Sequence, residues 1–127
     1  VIYVASPYSS PIVGAPLLRF QKVRRFTIHL INQGQVPFSP IVYCHEMCAA
    51  GGIRTDAGTW FEFNSNMLRI AEAMFVYCLP GWQDSKGVRI ELQQAKAVRI
   101  PVAYFDEEFN LLTDAPDNDE LQTPKKS

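Results

Sequence analysis

Two stretches of the 127-residue sequence carry side chains that could act together chemically: Ser6-Pro7-Tyr8-Ser9-Ser10-Pro11 and Gly81-Trp82-Gln83-Asp84-Ser85-Lys86-Gly87. Each places hydroxyls beside a chain reversal. The second runs into a helical pattern from about Val88, so it offers backbone N–H groups at a helix start. Those donors, with the helix dipole behind them, suit a phosphate, and Ser9 and Ser85 can add hydrogen bonds from their hydroxyls. Ser85 is equally suited to capping the helix, and spacing alone leaves both roles open. Glu91 lies six residues after Ser85, near the start of the same helix. A carboxylate there can attack a sugar anomeric carbon, expel the base and leave a glycosyl ester, which water or another base resolves. The plainer reading is a first-turn glutamate favoured by the dipole.

Cys44, His45 and Cys48 are soft ligands, yet no fourth ligand stands at zinc-site spacing, so no metal is expected. Trp60 and Trp82 can stack on a base or pack a core. Lys plus Arg (12) nearly balances Asp plus Glu (13), and a net charge of −1 supplies no broad positive field for a nucleic-acid backbone. Lys22, Arg24 and Arg25 fall inside a helical pattern and read as a solvated face. Three cysteines and no secretory-type segment point to a reducing cytoplasm, and no apolar run is long enough for a bilayer.

The elements that must position these residues alternate. Val1 to Ala5 reads as a strand, Leu17 to Gln33 as a helix stopped by Gly34, and Val36 to Ser39 as an edge strand because of Pro37. Ile41 to Thr59 reads as a long loop with a short helical turn. Trp60 to Glu72 restores helical spacing, Ala73 to Leu79 suits a buried central strand, and a helix from about Val88 to Val98 precedes a strand at Pro101 to Phe105. The fold class expected is α/β: one Rossmann-like (flavodoxin-like) domain with a parallel sheet of four or five strands, order 2-1-3-4, flanked by helices. Its cleft lies beyond the carboxyl ends of the strands. The domain spans 1–113, and 114–127 is a flexible polar tail.

Tyr3-Val4-Ala5-Ser6-Pro7-Tyr8-Ser9, Gly34 to Ile41, and Leu79-Pro80-Gly81-Trp82 through Ser85-Lys86-Gly87-Val88 to Glu91 together resemble the nucleoside 2-deoxyribosyltransferase superfamily. The likeness covers most of residues 1 to 104. It is nearest to a small branch common in bacterial and phage genomes and related to nucleoside 5′-monophosphate N-hydrolases. The resemblance implies Glu91 as nucleophile, with Asn64 and Tyr3 as its catalytic companions. It implies Ser85, Gly87 and Val88 at a 5′-phosphate, with Ser6, Tyr8 and Ser9 bordering sugar and phosphate. His45 and Trp82 would lie beside the base. Asn64 departs from the pattern, since relatives carry an aspartate there that positions the sugar or protonates the leaving base. Asp56 is one candidate to replace it. Hydrolysis of an N-glycosidic bond is the activity implied, with base exchange or nucleotide sensing as alternatives. No cofactor is implied, and the implied partners are a nucleoside or nucleotide and a second copy in a homodimer, with neither nucleic acid nor membrane.

The polar tail lacks a periodic apolar face, so deleting residues 114–127 is expected to leave the thermal midpoint within about 3 °C of the full chain. A larger drop in a melting scan would show that the tail packs on the domain.

Overall fold

The computed structural model describes residues 1–51 and 57–113, with the backbone alone at 57–59. Asp56 and the tail 114–127 lie outside the described residues. The strand β1 (Ile2–Ala5) is buried at every position, as a strand with neighbours on both sides and helices on both faces must be. It pairs in parallel with β2 (Pro37–Phe38) and, on its other side, with β3 (Ala73–Tyr77). Beyond β3 come β4 (Val102–Phe105), parallel, and β5 (Leu111–Leu112), antiparallel. The order 2-1-3-4 is therefore observed, extended by β5. Pro37 lies in the edge strand, where only one neighbour asks for hydrogen bonds.

Strand alternation sorts the core into two faces. Tyr3 and Ala5 join Met74, Val76 and Cys78 on one face, where Leu68 of α3 (Ala57–Ile70) and Val88 and Ala95 of α4 (Lys86–Val98) cover them. Val4 and Tyr77 point to the other face, against Val23, Phe26 and Leu30 of α1 (Ala15–Asn32). The buried positions of α1 recur three to four residues apart, and a Schellman turn ends the helix: Gly34 N donates to Ile31 O at 3.0 Å and Gln35 N to Leu30 O at 3.0 Å. Gly34 supplies the positive φ of 84° that this turn requires.

The expected long loop after β2 is corrected. Residues Pro40–Ala50 form a helix, α2, capped by Ser39, whose hydroxyl accepts from Val42 N at 3.2 Å, with Pro40 in the first turn. Its apolar residues lie all round the helix, so it lacks the one-sided stripe that marks a helix in sequence. α3 likewise begins at Ala57, before the expected Trp60, and α4 begins at Lys86, before Val88. β5 was not assigned from sequence; it follows a turn in which Asp106 Oδ1 accepts from Glu108 N (3.0 Å) and Asn110 N (2.9 Å). Phe109 takes a positive φ of 71° in that turn, and its ring stacks on His29 and packs on Phe26.

Phe26 is fully buried and stacks on Tyr77 at 4.5 Å between centroids. Phe26→Ala is expected to cost about 3–5 kcal/mol in urea unfolding, the usual range for an emptied aromatic site. A loss below about 1 kcal/mol would mean that α1 settles into the gap.

Candidate active site

The switch in strand order on either side of β1 separates the crossovers and opens a crevice at the carboxyl ends of β1 and β3. A cavity of about 870 Å³ lies there. The loop after β1 contributes Ser6, Tyr8 and Ser9, α3 contributes Trp60 and Asn64, and the start of α4 contributes Ser85, Gly87 and Glu91. A smaller chamber of about 240 Å³ shares Tyr8, Trp60 and Asn64 with it and is closed by Cys44, His45 and Cys48 of α2. A third hollow of about 610 Å³ lies on the outer surface between α3 and α4.

Glu91 reaches from the second turn of α4 toward the face of the sheet that carries Tyr3. The Tyr3 hydroxyl donates to Glu91 Oε2. Although the glutamate keeps some surface on the cavity wall, its carboxyl is enclosed, and burial pushes it from 4.5 up to about 7 against the lowering effect of the Tyr3 hydrogen bond. Tyr3 is held far above the usual phenol range, by burial first and then by the Glu91 charge, so it remains a proton donor to the carboxylate. Oε2 is the oxygen that this bond engages, and Oε1 has no hydrogen-bond partner among the described residues.

At the other end of the cavity Ser85 caps α4, its hydroxyl accepting from Val88 N at 3.3 Å. Capping uses a lone pair and leaves the hydroxyl hydrogen available to an anion, so the two roles weighed for Ser85 are compatible. Ser6 is nine-tenths buried, and its hydroxyl has no hydrogen-bond partner among the described residues; neither has Asn64 Oδ1. Both residues line the cavity. Buried polar atoms without partners are costly, so these two mark the places where a polar ligand would be stabilising.

Two expected substrate contacts lie elsewhere. Trp82 is 4% exposed and packs on Tyr104 in the core beneath the loop, because the 3₁₀ turn Trp82–Asp84 directs its ring inward. Val88 is buried with its side chain in the same core, and its amide is taken by Ser85. His45 borders the smaller chamber rather than the main cavity; Tyr8 Oη lies 2.8 Å from its Nδ1, and Phe20 stacks on its ring at 3.9 Å. Among the described residues no group of three or more metal-binding side chains gathers. Burial pushes the Cys44 thiol up to about 11, which makes it a poor nucleophile. Sequence reading missed Arg19, which bonds to the loops on both sides of the cavity. A lone arginine in a helix with several other cations carries no signal of that role; Lys22, expected on a solvated face, in fact pairs with Glu107 at 3.5 Å.

The family model described as "Domain of unknown function (DUF1937)" matches residues 1–107. The chain belongs to the DUF1937 family. Among solved structures, this DUF1937 domain is similar to the 2-desoxiribosyltransferase from Leishmania mexicana, with a TM-score of 0.57 and 19% identity over 98% of this chain and 87% of that chain. The domain therefore has a deoxyribosyltransferase-like fold. No curated protein matches it. No helix among the described residues of this DUF1937 domain is long and apolar enough to cross a membrane.

The raised pKa of Glu91 has a cost in stability. A carboxyl that titrates near 7 when folded and near 4.5 when unfolded binds more protons in the folded state between those values, so its penalty grows as pH rises through that window. Above pH 7 the penalty is about 3 kcal/mol. Glu91→Gln, which keeps an acceptor for Tyr3, is expected to raise unfolding free energy by about 1–3 kcal/mol at pH 8 and hardly at all near pH 4.5. Equal effects at both pH values would show that burial does not shift the carboxyl.

Proposed function

We propose that this domain cleaves the N-glycosidic bond of a nucleoside or nucleoside 5′-monophosphate, with Glu91 as nucleophile and water as the final acceptor. The observation that carries the reading is the Tyr3–Glu91 pair at the cavity wall, one carboxylate oxygen held by a phenol and the other without a hydrogen-bond partner among the described residues. Glu91 Oε1 attacks the anomeric carbon as the carbon–nitrogen bond breaks and its electron pair leaves with the base, which takes up a proton. Water then attacks the same carbon, the ester bond to Oε1 breaks, and the carboxylate is restored as the water loses a proton.

The helix start at Ser85 to Gly87, with the unpartnered hydroxyl of Ser6 and with Ser9, favours a 5′-phosphate on the sugar. The base would then extend toward the chamber bordered by Tyr8 and His45. Hydrolysis is preferred to base transfer because the phosphate-type loops align the chain with nucleotide N-hydrolases. One observation favours a second reading, a nucleotide-binding module: Asn64 stands where relatives carry an acid, and an amide has no titratable proton to give the leaving base.

Incubation with a panel of nucleosides and 5′-monophosphates, followed by chromatography for free base, tests both. Single-turnover base release is expected to rise with pH to a plateau above about 7, since only the ionised Glu91 attacks. Glu91→Gln is expected to abolish release while retaining ligand binding, and Asn64→Asp to accelerate it, at most by the roughly 10²–10⁴-fold that acid catalysis contributes. Undiminished release by Glu91→Gln would eliminate the mechanism. Binding without turnover by the wild type would establish the second reading.

A further inference from the structure

Arg19 is half-buried on the second turn of α1 and spans the two loops that wall the cavity. Its Nη1 donates to Ser9 O at 2.8 Å, with a longer contact to Tyr8 O at 3.5 Å, and its Nη2 donates to Pro80 O at 3.2 Å. Among the described residues no carboxylate forms an ion pair with it. The next residue, Gly81, has a φ of +87°, and a Cβ there would stand 3.1 Å from Nη2, so glycine meets both the turn and the approach of the guanidinium. From Gly81 the chain runs through one 3₁₀ turn directly to the Ser85 cap. One side chain of α1 thus bridges the loop after β1 and the loop that leads into α4.

We propose that Arg19 is a positioning residue that holds these two loops at the spacing a phosphate requires, through a two-pronged fork. The inference rests on the reading that the cavity takes a 5′-phosphorylated substrate. A guanidinium presents parallel donors in a rigid plane, whereas a lysine ammonium is a point charge on a flexible stem and cannot hold both carbonyls in the same geometry. The hydrogen bonds of a phosphate are steeply dependent on distance, so loosening the fork weakens the anion while leaving contacts to sugar and base in place.

The test is calorimetric titration of the full chain and its Arg19→Lys and Arg19→Met variants with inorganic phosphate, and with a panel of unphosphorylated nucleosides. Both variants are expected to bind phosphate about tenfold more weakly or worse, the loss of one charge-assisted hydrogen bond. Nucleoside affinity should change less than about twofold, because a general loosening of the fold would lower both. Should Arg19→Met fail to fold, Arg19→Lys, which retains stem and charge, carries the test. Phosphate binding by Arg19→Lys equal to wild type would assign the effect to charge and overturn the fork. Equal weakening of phosphate and nucleoside would also overturn it. A wild type that binds no phosphate would remove this inference together with the 5′-phosphate, while base release from unphosphorylated nucleosides would still judge Glu91 separately.

Discussion

The hydrogen bond from Tyr3 to Glu91 joins the first strand to the last helix, across 88 positions of sequence, and the arrangement of the site follows from it. Strand alternation fixes which face Tyr3 occupies: with Val4 directed at α1, Tyr3 must face α3 and α4. A slip of one residue between β1 and β3 would turn Tyr3 toward α1 and strand Glu91 among apolar side chains with no donor. The observed register pairs Tyr3 with Met74 and Val4 with Phe75, and the two faces of the core together hold it. The Glu91 carboxyl is thereby held by the most buried part of the molecule rather than by a loop.

The same burial creates a tension between stability and chemistry. Enclosing Glu91 destabilises its charged form, the form the proposed chemistry needs, and Tyr3 offsets part of that loss by donating to one oxygen. The hydroxyl of Ser6 and the carbonyl oxygen of Asn64 are further polar atoms in the cavity wall without partners among the described residues. Sites that bind or react commonly sacrifice local stability in this way, and the packed faces of the sheet are where it is recovered. Asn64 shares the boundary between the two chambers with Tyr8 and Trp60.

Much of this organisation was legible in the sequence. The strands β1 and β3 are continuous apolar runs, Gly34 marks a helix end, and the Ser85 to Glu91 spacing puts a cap and a carboxylate on successive turns of one helix. What was not legible has physical reasons. α2 has no apolar stripe, and its start signal, Ser39 followed by Pro40, also reads as the end of a strand. β5 is two residues long and depends on a turn organised by Asp106. Trp82 was placed at the site because of its neighbours in sequence, but the positive φ of Gly81 rotates the chain so that the ring enters the core. Arg19 acts through backbone carbonyls, which every residue has, so its partners leave no trace in residue type.

The parallel order of the sheet also bears on how the chain comes to be competent during synthesis. The hydroxyls of Ser6 and Ser9 emerge first, but β1 gains its central neighbour only with Ala73–Tyr77, and the carboxylate follows at Glu91. Contacts of such high sequence separation form late, because loop closure must come before they contribute. Until Ala73–Tyr77 has been made, the apolar β1 has only the two-residue edge strand β2 to pair with. Tyr3 therefore meets Glu91 only once β3 and α4 have joined β1.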